Sequence, residues 1–188
     1  MSKEKQKSIL KKLRENLENN ISKIEERTDI SDDEKVLRII KVFAAGCAAF
    51  AVQPIPFADF FVLTPIQAYM GTRIGAIRGV PVSESKATEI FKEIAGVIGL
   101  GLLAQQLVIG LYKTFIPFLG AITTIPIVYG LTYGIGRVMD LYFIQKRRHG
   151  QINKDELIKM WKKSKKEGAE FGNKEKDKIW ETKDDFKA

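Results

Sequence analysis

The sequence predicts an all-α protein: an amphipathic N-terminal helix, an apolar helical bundle with a transmembrane hairpin, and a basic C-terminal helix. Three observations carry this. Of 54 charged side chains in 188 residues, 43 lie outside residues 42–144, so an apolar block sits between two polar arms. Apolar residues recur at steps of three and four, and no stretch alternates as a strand does. Within the block, residues 94–112 and 114–136 carry no charge at all. The chain divides accordingly into an arm (1–30), an apolar membrane-associated domain (31–145) and a basic arm (146–188).

The first element is a helix over residues 3–27, with Leu10, Leu13, Leu17, Ile21 and Ile24 on one face and Lys and Glu on the others. Ser31-Asp32-Asp33-Glu34 reads as a capping box, so a second helix starts near Asp32 and runs to about Val52. Gln53-Pro54-Ile55-Pro56 ends it, because two prolines remove amide donors. A third helix resumes near Phe57 and reaches about Arg78, with a kink at Pro65. Gly79-Val80-Pro81 is a turn. Ser83 caps a fourth helix, whose acidic first turns suit the helix dipole. Asn153-Lys154-Asp155-Glu156 is another capping box. It opens a short basic helix over 154–166, with Trp161 on its apolar side and a polar, fraying tail beyond.

A bilayer core about 30 Å thick needs roughly 20 apolar residues of helix. Residues 94–112 and 114–136 meet that length, with Lys113 and Pro117 marking the turn of a hairpin. Gly130 with Gly134, and Ala95 with Gly99, have the small-residue spacing that lets such helices approach closely. Lys86, Lys92, Arg137, Lys146, Arg147 and Arg148 flank the spans on one side, as the positive-inside rule prefers. That orientation places both arms on the cytoplasmic side. Residues 42–58, broken by two prolines, suit a re-entrant or interfacial segment. The competing reading is a soluble all-α domain with unusually apolar helices, for which Gln105-Gln106 and Thr123-Thr124 speak.

Net charge is +8, of which residues 145–188 contribute +5, and such an excess favours anionic partners. Lys146, Arg147, Arg148, Lys159, Lys162 and Lys163 are the candidate membrane-surface bases, with a solvated charged helix as the alternative. Catalytic chemistry is not in view. There is no phosphate-binding Walker loop, the single His149 has no partners for a triad or zinc site, and no cofactor is expected. The lone Cys47 reads as a buried small hydrophobe. Costly polar residues in apolar helices are Asp59, Gln67, Arg73, Gln105, Gln106 and Arg137. Asp59 either sits in the first turn of the third helix or pairs with Arg73 or Arg137. Gly71, Gly75 and Gly79 form a ridge at four-residue spacing, read as a helix contact or, alternatively, a partner-binding ridge.

Pro54-Ile55-Pro56-Phe57-Ala58-Asp59, then Leu63, Pro65, Gln67, Met70, Ile74 and Gly79-Val80, resembles domain-of-unknown-function family 697, the YcjF-like domain often fused behind bacterial GTPase domains. The likeness continues through Gly99, Leu102 to Gln106, Lys113, Pro117, Leu119-Gly120 and Tyr133-Gly134-Ile135-Gly136-Arg137, covering about residues 38–145. The resemblance implies an α-helical, membrane-associated module that partners or anchors GTPases. This chain has no GTPase domain of its own, so that link would act in trans. The expected function is a non-enzymatic membrane protein that anchors or recruits a cytoplasmic partner, with membrane lipid and a protein as partners, no nucleic acid, and a homo-oligomer allowed. The alternative is a soluble all-α module that binds an apolar ligand or a partner helix.

Overall fold

The computed structural model describes residues 3–52, 63–99 and 117–183. These form six helices: α1 (Lys3–Glu25), α2 (Asp32–Ala51), α3 (Thr64–Ile77), α4 (Glu84–Val97), α5 (Pro117–His149) and α6 (Lys154–Glu181). The class is all-α, with no strand among the described residues. No helix among them is long and apolar enough to cross a membrane.

Local chemistry sets most boundaries. The Ser31 hydroxyl accepts from the Glu34 amide at 3.2 Å, and Ser83 accepts from Lys86 in the same way at 3.2 Å. Only half of the first capping box closes, because the Glu34 carboxylate turns to Arg38 one turn along (3.1 Å) rather than back to the cap. At α6, Asn153 Oδ1 accepts from the Glu156 amide (3.2 Å), while the Asn153 amide donates to Gln145 Oε1 (3.0 Å). Pro65 lies in the first turn of α3, where its missing N–H costs nothing, and so makes no kink. Residues 57–62, expected to begin that helix, lie outside the described residues.

The N-terminal helix buries Leu13, Leu17 and Ile21 on α2. Gly46 makes room for it: a Cβ there would stand 2.8 Å from Leu17 Cδ2. A central layer forms where α2, α3 and α5 converge, since a Cβ on Gly136 would meet Ile40 at 2.8 Å and Met70 Sδ at 3.1 Å. Phe43, Phe50, Tyr129, Tyr133 and Phe143 fill the core around that layer.

The long apolar stretch departs from the sequence expectation. From Pro117 it is the first half of α5, a continuous helix that passes Arg137 and Asp140 and extends roughly 50 Å at 1.5 Å per residue. Its covering is α6, and this is the most extensive helix contact among the described residues. A Cβ on Gly130 would lie 2.7 Å from the Lys165 carbonyl, and one on Gly134 would lie 2.8 Å from the Trp161 ring. From the other side, a Cβ on Gly168 would meet Tyr133 at 2.7 Å, and one on Gly172 would meet Pro126 Cα at 2.8 Å. The Gly130–Gly134 edge therefore packs on the C-terminal helix. Ala95 lies in the last turn of α4, and Gly99, with φ +92°, lies just past its C-cap Ile98. The rest of that stretch, residues 100–112, lies outside the described residues.

The same contact corrects the reading of the C-terminal arm. The basic helix does not stop near residue 166 but runs to Glu181, with Ser164, Gly168, Gly172 and Ile179 buried beyond Trp161. Small residues at every fourth position give it a flat face for α5. Its lysines obscure that face in a hydropathy reading.

Candidate functional site

The costly polar residues do not converge. Gln67 on α3 is 1% exposed and donates to Thr132 Oγ1 of α5 at 3.1 Å, while its Oε1 has no partner among the described residues. Arg137 is half-buried beside the Tyr133 hydroxyl, with its Nε unpaired among the described residues. Tyr133 donates to Glu167 of α6 at 3.2 Å. Burial, then the nearby Glu167 charge, pushes the Tyr133 phenol up to about 12. Asp59, Gln105 and Gln106 lie outside the described residues. Arg73 pairs with Glu25, donating from Nε to Oε1 at 2.8 Å and from Nη2 to Oε2. The packing of α1 along α2 brings Glu25, the last residue of α1, to α3. With the Arg73 and Glu25 side chains 30% and 21% exposed, Glu25→Gln is expected to cost about 1 kcal/mol or less in a denaturant melt.

The sequence reading missed the buried ion pair. Arg78, the C-cap of α3, donates from Nε to Asp140 Oδ1 at 2.6 Å and from Nη2 to Asp140 Oδ2 at 3.1 Å. Its Nη1 reaches Asp33 in the first turn of α2 at 2.6 Å. Arg78 and Asp140 are only 9% and 7% exposed. Arg147 Nη1 donates to the Arg78 carbonyl at 3.2 Å, so the last turns of α5 cap the end of α3. A sequence signal existed: Arg78 and Asp140 are opposite charges among only eleven in residues 42–144.

The expected glycine ridge divides by role. Gly71 and Gly75 admit α5, since a Cβ would meet Met139 Sδ at 3.0 Å and the Phe143 ring at 3.1 Å respectively. Gly79 instead takes φ +73°, which turns the chain out of α3.

The charge concentrates at the α5–α6 corner. Residues 146–166 hold nine Lys or Arg against two acids, an excess of +7 in a chain whose net charge is +8. Lys146, Arg147, Arg148, Lys159, Lys162, Lys163 and Lys166 are exposed. Residues 159, 162, 163 and 166 follow the three–four spacing of one helix face, so these lysines form a stripe. Trp161, expected at a lipid surface with them, is 7% exposed and packs on Gly134. Two cavities open beside the corner. One of about 490 Å³ is walled by Leu141, Ile144, Arg148 and Ile152, and one of about 230 Å³ by Asp33, Arg78, Arg147 and Arg148. Among the described residues, no group of three or more His, Cys, Asp or Glu is placed to hold a metal ion.

No family model, curated protein or solved structure matches the chain. The likeness to family 697 rests on the residues quoted above alone.

Proposed function

We propose that this chain is a non-enzymatic adaptor of the bacterial inner membrane that sits on the anionic cytoplasmic surface and recruits a protein partner there. The observation that carries the reading is the concentration of exposed bases at the α5–α6 corner. Each Lys or Arg close to an anionic leaflet contributes about 1 kcal/mol. The uncharged residues 94–112 continue in sequence from α4, a helix that contacts α5, with Glu93 near the Tyr142 phenol. Family resemblance supplies the class of partner, a GTPase acting in trans.

A surface mode is favoured over a spanning hairpin for an electrostatic reason. Lys165, Lys166, Glu167 and Glu170 belong to the helix that covers Gly130 and Gly134. Carrying α5 into hydrocarbon would bring those charges with it or strip α6 away, and a charge at the bilayer centre costs at least about 2.5 kcal/mol. Nucleic acid suits the stripe less well, because Trp161 is buried and unavailable for stacking on bases.

The test is vesicle co-sedimentation. Strong binding is expected to vesicles with anionic lipid and weak binding to neutral ones. Replacing Lys159, Lys162, Lys163 and Lys166 together with Gln is expected to lower the affinity on the order of 100- to 1,000-fold. Equal binding to both vesicle types, or tighter binding to duplex DNA than to anionic vesicles, overturns the reading. Resistance to carbonate extraction would point to the spanning hairpin instead.

A further inference from the structure

We infer that the α5–α6 corner holds a binding site for a phosphate ester with an apolar or glycerol portion, and that Arg148 is its anchoring cation. The two cavities share Ile144 and Arg148, so one guanidinium lies between them. The smaller one is electropositive. Arg78, Arg147 and Arg148 line it, while Asp140 and Asp33, both bound to Arg78, supply two negative charges. One positive charge is therefore left over. Arg147 commits a donor to the Arg78 carbonyl. Arg148 has no ion pair or hydrogen bond among the described residues, and its planar donor fork matches the oxygens of a phosphate.

The larger cavity has the complementary chemistry. Leu141, Ile144 and Ile152 give it apolar walls, and Gln151 stands at its edge. Its one acid, Glu156, is already engaged, accepting from Gln145 at 2.7 Å and from Asn153 Nδ2 at 3.3 Å. A volume of about 490 Å³ is within the range of small-ligand pockets, roughly 300–1,000 Å³. A phosphate on Arg148 in the small cavity would thus place its organic remainder against Ile144 in the large one. The ligand chemistry follows from the cavities themselves. Only its source, a lipid headgroup or a free phosphate ester, rests on the membrane-surface reading.

The experiment is isothermal titration of the full chain with three probes: inorganic phosphate, glycerol 3-phosphate, and dihexanoyl phosphatidylglycerol below its critical micelle concentration. Saturable binding of the lipid analogue is expected, weaker on the order of tenfold or more in Arg148→Gln. The Lys174→Gln variant, exposed on α6 and outside both cavities, is expected to bind it as the parent does. Arg148 is exposed, so its variant is expected to melt as the parent does. Glycerol 3-phosphate binding as tightly as the lipid analogue supports the site and assigns it to a free phosphate ester. No saturable binding of any probe, or affinity unchanged in Arg148→Gln, overturns the site. Vesicle binding that persists in either case leaves the surface reading standing, so the two failures are distinguishable.

Discussion

Asp140→Asn is expected to destabilise the fold by about 3 kcal/mol, the lower end of the cost of breaking a buried ion pair from one side. The Arg78 guanidinium would keep its charge, and the two hydrogen bonds to Asp140, at 2.6 and 3.1 Å, would lose their charged acceptor. Asp33 remains as a partner, which holds the loss at the lower end of the range, but it reaches Arg78 from an exposed position. Replacing both members, Arg78→Met with Asp140→Leu, is expected to recover most of the loss, since neither charge is then stranded. Chemical denaturation of Arg78→Met, Asp140→Leu and the double variant, beside Asp140→Asn, measures this. Independent costs that simply add would mean that the pair is not coupled.

The second large effect is expected at the α5–α6 contact. Gly130→Leu with Gly134→Leu should cost about 3 kcal/mol or more, because overpacking runs to 1–3 kcal/mol at a single site. At Gly130 the obstacles are backbone atoms, the Lys165 carbonyl at 2.7 Å and the Ala169 amide at 3.0 Å, which cannot rotate away as a side chain would. The helix should then lift from α5, and trypsin should cut at its lysines. Gly96→Ala is the control. A Cβ there meets nothing within 4 Å, so the substitution is expected to stabilise α4 by up to about 1 kcal/mol. Loss of stability at Gly96, or none at Gly130 and Gly134, would contradict this packing.

These two sites mark where the sequence was legible and where it was not. Three helix starts were readable because a capping oxygen acts within four residues: Ser31, Ser83 and Asn153 each accept the expected amide. The α1 face was readable because Leu13, Leu17 and Ile21 repeat at helical spacing. What covers an apolar face is a different question. The uncharged residues 114–136 require removal from water, and lipid and a packed helix satisfy that requirement alike. The deciding signal was in α6, where Ser164, Gly168 and Gly172 repeat with the same four-residue step as Gly130 and Gly134. Five lysines over residues 159–166 masked it, since hydropathy registers charge and not the width of a face.

Partners of buried charges were less legible still. Arg78 and Asp140 are separated by 62 residues, and Arg73 and Glu25 by 48. Pairings at such distances are set by how the helices stack, which periodicity within one helix does not encode. Arg73 was one of two expected partners for Asp59, and among the described residues it pairs with Glu25 at the end of α1. The basic residues were legible as a cluster from composition alone. Their arrangement as a stripe outside a buried Trp161 required the α5–α6 contact.

The most direct test is a distance between α5 and α6 in water and on anionic vesicles. Spin labels at Ile127 and Lys174, both exposed, with Cys47→Ala to remove the native thiol, report it by pulsed electron resonance. One short, narrow distribution is expected in both conditions, in keeping with helix axes packed about 8–10 Å apart. A long or broad distribution on vesicles would show that α5 leaves α6 for lipid, and would contradict a bundle that covers its own apolar helix.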